Sequence, residues 1–191
     1  MPSIDFNYLK LKIENFNINK YPIFVETGTL RGSTTFEMEK YFPEVHTIEV
    51  SEKLYKNVKN KYKGNKITFH LGDSGIILNN LSENLNNNAV FFLDGHFSNG
   101  ETSKGEKDVP LYEELNHINK NFKYEGIIII DDCRLFGQIN KSITGGRNVL
   151  WNEINEETIL NILKSRTVKY YYKDSNADKK DRLIIHISEL K

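Results

Sequence analysis

The chain lacks several things that would place it elsewhere. It has one cysteine, Cys133, so no disulfide can form within it, and a lone thiol suits a reducing compartment. No apolar run approaches the roughly 18 residues of a membrane span, and the polar N-terminus has no apolar signal-peptide core. The expectation is a soluble cytoplasmic protein without a membrane partner. Neither sign of charge dominates: 26 basic residues face 26 acidic ones, for a formal net charge of zero. That balance argues against an extended polyanion footprint while leaving room for a local basic loop, and no nucleic-acid partner is expected. There is no internal repeat and no linker long enough to divide the chain. With 38% hydrophobic and 12% aromatic residues, a single folded domain over 1–191 is expected, not disorder.

What the chain does have is Ile127-Ile128-Ile129-Ile130-Asp131-Asp132. A short, β-branched, wholly apolar run reads as a strand buried on both faces of a parallel sheet. Ionised carboxylates cannot continue into that core unpaired, so the strand ends where they begin. Phe91-Phe92-Leu93-Asp94 repeats the pattern earlier in the chain. Ligands of open α/β sheets sit at the carboxyl ends of strands, which makes these acids a candidate hard-cation site.

Around these two strands the pattern alternates. Residues 1–20 read as a short helical cover, Ile23 to Val25 as the first strand, and a helix follows to about Tyr41. Val45 to Val50 and Ile67 to Leu71 are further strands, with a lysine-rich helix capped by Ser51 between them. Residues 95–109 form a polar loop long enough to act as a lid. Residues 135–150 look irregular, with Gly145-Gly146 as a turn, and a helix over Glu156 to Ser165 precedes two strands, Val168 to Tyr172 and Leu183 to Ile187. Those two read as an antiparallel hairpin, and the preceding β-α alternation predicts a doubly wound, Rossmann-like α/β sheet, mostly parallel.

Several strand ends carry chemistry-bearing residues. Glu26-Thr27-Gly28-Thr29-Leu30-Arg31-Gly32 joins the first strand to its helix, and Gly28 lets the backbone turn tightly and approach a ligand. The loop is neither GxGxxG nor a P-loop, which disfavours an NAD-dependent oxidoreductase. Glu49 closes the second strand roughly 20 residues beyond Gly28, where an acid can accept both hydroxyls of a ribose; the alternative is a solvated strand-end acid. Asp73 in Gly72-Asp73-Ser74 either meets an adenine edge or caps the next helix. His96, two residues past Asp94, is a candidate general base, while Cys133 has no evident base beside it. Asp131 and Asp132 have a structural alternative as well: one caps the turn and the other pairs with Arg134.

Phe24-Val25-Glu26-Thr27-Gly28-Thr29, Thr47-Ile48-Glu49, Gly72-Asp73-Ser74, Leu93-Asp94-Gly95-His96 and Ile130-Asp131-Asp132 occur in the order found in class I S-adenosylmethionine-dependent methyltransferases. Over residues 20–190 the chain resembles that family, whose sixth and seventh strands form a hairpin and complete a seven-stranded sheet. The acids resemble those of the metal-dependent O-methyltransferases, the group that includes catechol and macrolide-sugar enzymes. The resemblance implies S-adenosylmethionine as cofactor, held by Glu26, Thr27, Gly28, Thr29, Gly32 and Ser33 at its methionine end. Glu49 and Val50 would take the ribose, Asp73 or Ser74 the adenine, and Asp94 would close the site. It also implies Mg²⁺ on Asp94, Asp131 and Asp132, with His96 removing the acceptor proton.

The expected acceptor is a small molecule with a hydroxyl group, a sugar or nucleotide sugar first and a catechol-like phenol second. Lys104, Lys107 and Arg134 are candidates to contact an anionic acceptor. A homodimer is compatible with the sequence, and a noncatalytic nucleoside-binding domain is the reading from a different class.

Overall fold

The isoleucine run lies inside a seven-stranded sheet in this computed structural model, which describes residues 3–97, 105–140 and 148–191. The elements in chain order are α1 (Phe6–Lys12), β1 (Ile23–Thr27), α2 (Ser33–Glu39), β2 (Glu44–Glu49), α3 (Glu52–Lys59), β3 (Ile67–Leu71), α4 (Ser74–Asn84), β4 (Ala89–Leu93), α5 (Leu111–Asn121) and β5 (Gly126–Ile130). After β5 come a 3₁₀ turn (Cys133–Leu135), the two-residue strands β6 (Ile139–Asn140) and β7 (Val149–Leu150), α6 (Glu156–Leu163), β8 (Thr167–Lys173) and β9 (Arg182–Ile187). The sheet order is β3-β2-β1-β4-β5-β9-β8, with β1 to β5 parallel and β9 antiparallel to both β5 and β8. The expected α/β architecture and terminal hairpin are both present.

Both faces of the sheet are covered, which is why β5 has no polar side chain. Ile128 and Ile130 pack with Leu78, Leu115, Ile118 and Ile159 beneath α4, α5 and α6. Ile127 and Ile129 point the other way, toward Leu9 of α1 and Met38 of α2. The alternation follows from the two-residue period of a strand. Each buried isoleucine contributes about 1.5–3 kcal/mol relative to an exposed one. The expected N-terminal cover is one helix, α1, capped by Asp5 through the Tyr8 amide.

Two segments differ from the sequence reading. The stretch read as irregular contains the β6–β7 pair, with Ile139 opposite Leu150; Gly145 and Gly146 lie outside the described residues. Of the expected lid, residues 98–104, including Lys104, also lie outside them. Its described end is anchored: Glu106 donates its amide to Asp73, and Phe97 donates to the Asp108 carbonyl. Among the described residues no helix is long and apolar enough to cross a membrane.

Candidate active site

The strand order reverses between β1 and β4, so the connections leaving their carboxyl ends run to opposite faces of the sheet and leave a crevice there. A cavity of about 440 Å³ occupies it, within the size range of small-molecule sites. Gly28 forms its floor at φ +85°, and a Cβ there would collide with the Asp94 carbonyl oxygen. The loop is tied to the neighbouring strand, since the amides of Gly28 and Thr29 both donate to the Ile48 carbonyl at 3.0 and 3.2 Å. Only a glycine suits both the backbone angle and the close approach.

Glu49, at the end of β2, is buried against the same cavity. Its carboxylate accepts the Leu30 amide at 2.8 Å and the Ser51 amide at 2.9 Å. Burial raises its pKa, against the pull of the backbone N–H groups of Ser51, Leu30 and Val50. Each oxygen retains a second lone pair for a ligand hydroxyl.

At the other end of the cavity the acids separate into two groups. Asp131 is held by Arg182, with Oδ1 at 2.9 Å from Nε and Oδ2 at 3.3 Å from Nη2. Arg182 is itself buried over the Tyr8 ring, and its Nη2 also donates to the Ser3 carbonyl at 2.6 Å. Asp132 adopts a left-handed backbone at φ +61° and turns elsewhere. Its Oδ2 lies 2.9 Å from His96 Nε2, and its Oδ1 accepts from Arg134 Nη1 at 2.5 Å. His96 Nδ1 stands 3.6 Å from Asp94 Oδ1, beyond a hydrogen bond.

The electrostatics follow these contacts. Burial pushes the Asp94 carboxyl up to about 7, opposed by His96 and reinforced by the charges of Asp131 and Asp132. Burial pulls the His96 imidazole down, but the Asp132 hydrogen bond and the charges of Asp94, Asp132 and Asp131 outweigh it, and its pKa rises. For Asp132, burial is outweighed by the hydrogen bond and charge of His96 and by Arg134, so its pKa falls. Burial pushes the Cys133 thiol up, which leaves it unreactive.

Comparison with known proteins bears on the fold. No protein-family model matches the chain, and no curated protein matches its sequence. Solved structures do match. A protein from Listeria monocytogenes assigned as an S-adenosylmethionine-dependent methyltransferase is similar with a TM-score of 0.56 at 12% identity, covering 92% of this chain and 94% of the other. The N-methyltransferase NodS from Bradyrhizobium japonicum, bound to S-adenosyl-L-homocysteine, is similar with a TM-score of 0.51 at 14% identity over 88% and 78%. An rRNA methylase from Streptococcus thermophilus gives 0.50 at 13% identity over 90% and 89%. The chain has the class I methyltransferase fold.

In this methyltransferase fold, Gly28, Glu49, Val50, Ser74, Asp94, His96, Asp131 and Asp132 line the cavity. Glu26, Thr27, Thr29, Gly32, Ser33 and Asp73 do not line it. Glu26 is buried behind the loop, bonded to the hydroxyls of Thr35 and Thr47, and burial raises its pKa to about 8. Thr29 bonds Thr47 at 2.6 Å, and Thr27 accepts the Asp94 amide at 3.2 Å. Gly32 caps α2 at φ +75° with Val58 and Phe36 against it, and Ser33 is exposed at the first helical position. Asp73 accepts from the Gly75 amide as the cap of α4. Of the expected acids, Asp94 and Asp132 bring donor atoms together with His96, and Asp131 and Asp132 do so with Asp181; both oxygens of Asp131 also contact Arg182.

Sequence reasoning missed Arg182, Glu114, Trp151, Ser3 and the β8–β9 turn. Ser175, Asn176, Ala177 and Ser3 line the cavity beside Arg182. The turn is internally braced: Ser175 Oγ accepts the amides of Ala177 and Asp178 and donates to the buried Asp181. Glu114 left a signal, because helical spacing puts it on the face shared by Leu111, Leu115 and Ile118. A charged residue there is either buried or functional.

Proposed function

We propose that this protein transfers the methyl group of S-adenosylmethionine to a hydroxyl oxygen of a small polar acceptor, a sugar first. The observation that carries the reading is that one cavity joins Gly28 and Glu49 to Asp94, His96 and Asp132. The chain's own residues fit the cofactor: a floor only glycine can form, and a strand-end acid with lone pairs free for ribose hydroxyls. Gly28 takes the methionine end, Glu49 and Val50 the ribose, and Ser74 the adenine. The bound cofactor supplies a methyl carbon on a positively charged sulfur.

His96 is the base. A carboxylate only accepts, so the 2.9 Å contact with Asp132 puts the hydrogen of neutral His96 on Nε2 and leaves the lone pair on Nδ1. Nδ1 would take the acceptor's hydroxyl proton; the bound cofactor would supply the methyl group to that oxygen and leave as S-adenosylhomocysteine. Alignment of the two bound reactants contributes up to roughly 7–11 kcal/mol in well-oriented systems.

The donor set also fits a divalent cation. Asp94 and Asp132 would hold it, because their oxygens converge and Asp94 already sits under like-charge pressure from Asp131 and Asp132. When bound, it would lower the pKa of the acceptor hydroxyl.

The polar wall of Ser175 and Asn176 and the acidic rim of Asp94, Asp131 and Asp132 favour a neutral, hydroxyl-rich acceptor over a phosphate-bearing one. Lys107 is paired with Glu113, and Arg134 with Asp132 and Asp181, so neither is presented to an anion. Calorimetry with S-adenosylmethionine and S-adenosylhomocysteine, followed by methyl transfer to a panel of sugars, nucleotide sugars and catechols, tests the reading. Absence of binding to either cofactor form would overturn it.

A further inference from the structure

Beside His96, two buried polar atoms have no hydrogen-bond partner among the described residues: Oε1 of Glu114 and Nε1 of Trp151. One can accept a hydrogen bond and the other can only donate. Each residue is 2% exposed, so solvent does not satisfy either atom. An unpaired buried polar group costs about 1–3 kcal/mol, and two in one place call for an explanation. Both residues line one small cavity together with Gly95, His96 and Leu111. Its volume is about 10 Å³, room for one water molecule. Oε1 of Glu114 borders Gly95, since a Cβ built there would lie 3.1 Å from it.

We propose that one ordered water fills this cavity and bridges the Trp151 indole N–H to Glu114 Oε1, and that the bridge positions His96. The indole lies edge-on to the imidazole, ring centroids 4.9 Å apart at 63°, with Phe136 stacked nearby at 6.0 Å. Trp151 is packed in the core among its apolar neighbours, and the bridge would tie its indole nitrogen to α5. The edge of the indole then sets the tilt of the His96 ring, and with it the direction of Nδ1. Glu114 and Trp151 are thus positioning residues acting through His96. The consequence for His96 rests on the proposed function; the water itself does not.

Trp151 is the chain's single tryptophan, so its indole N–H gives one nitrogen–proton cross-peak in the full-length protein. The expected result is a slowly exchanging indole proton with a cross-relaxation peak to a long-lived water, lost in Glu114→Met. No such peak in the wild type, or a crystal structure with the cavity dry, overturns the bridge whether or not Glu114→Met folds. For the positioning role, Trp151→Phe should lower kcat on the order of tenfold or more, as small misplacements at reacting centres do, with KM and S-adenosylhomocysteine affinity held. Glu114→Gln, which keeps an acceptor oxygen, should retain several-fold more kcat than Glu114→Met. Equal kcat in the two Glu114 variants, or an unchanged kcat in Trp151→Phe, overturns the positioning role. If the wild type neither binds cofactor nor turns over, the proposed function and the His96 consequence fall together, and the resonance experiment still decides the water.

Discussion

Nε2 of His96 lies 2.9 Å from Oδ2 of Asp132, across the gap between the ends of β4 and β5. The contact joins the acid that ends the isoleucine strand to the histidine that follows its neighbour. It gives the imidazole a defined tautomer and leaves Nδ1 facing Asp94. The reaction we propose depends on that orientation, and so do the first two predictions.

His96→Ala should lower kcat by about 10²–10⁴, the usual contribution of a general base. Asp132→Asn should also lower it, because an amide no longer enforces the tautomer. Calorimetry should find S-adenosylhomocysteine affinity preserved in both. A parallel loss of cofactor binding would move these residues out of the acceptor half of the site.

Removing divalent cations should slow turnover without abolishing cofactor binding, and added Mg²⁺ or Mn²⁺ should restore it. Asp94→Asn should abolish the stimulation. Full activity in excess chelator would remove the cation from the proposal.

Asp131 should behave differently from Asp132. Asp131→Ala strands the buried Arg182, and breaking a buried ion pair costs about 3–5 kcal/mol. Asp132→Ala should cost less, because Arg134 is partly exposed and retains Asp181. Denaturant titration of the two variants compares them directly, and equal losses would contradict the assignment.

Glu26 sets a pH dependence of stability. Its carboxyl titrates near its ordinary 4.5 when unfolded and near 8 when folded, because burial disfavours the charge. Between those values the folded chain holds the extra proton, so stability falls as pH rises, by up to about 1.4 kcal/mol per unit. The contribution is complete below pH 4.5 and lost above pH 8. Glu26→Gln should therefore gain stability over the wild type between pH 5 and pH 8 in urea titrations. A difference independent of pH would show that Glu26 is ionised in the fold.

Gly28→Ala should strain the floor of the site twice, through φ +85° and through contact with the Asp94 carbonyl. Strained backbone of this kind costs on the order of 1–3 kcal/mol, and the displaced loop should lose cofactor affinity. Calorimetry and a melting curve read both effects, and normal binding would mean the loop relaxes without cost.

Much of this was legible locally. Burial on both faces requires an unbroken apolar strand, so Ile127 to Ile130 had to be internal. A loop needing a left-handed residue against a neighbouring strand needs glycine, so Gly28 marked the crevice. Glu26 shows the limit of such reading. Its position in the loop suggested a ligand contact, but the side chain turns back between Thr35 and Thr47, which come from α2 and β2. Asp73 likewise satisfied the helix that it begins and the returning end of the loop after Phe97.

The sequence by itself determined that two acids stand together at the end of a buried strand, because charge cannot enter that core. Which acid does what was decided only by the tertiary structure. The antiparallel pairing of β5 with β9 sets Ile130 opposite Leu183, and so brings Arg182 alongside Asp131, 51 positions away in the chain. Asp132, one residue later and in a left-handed conformation, points instead toward β4 and meets His96. Neighbours in sequence acquire opposite partners because β5 ends at Ile130 and the left-handed turn at Asp132 sends its side chain away from the direction that Asp131 keeps.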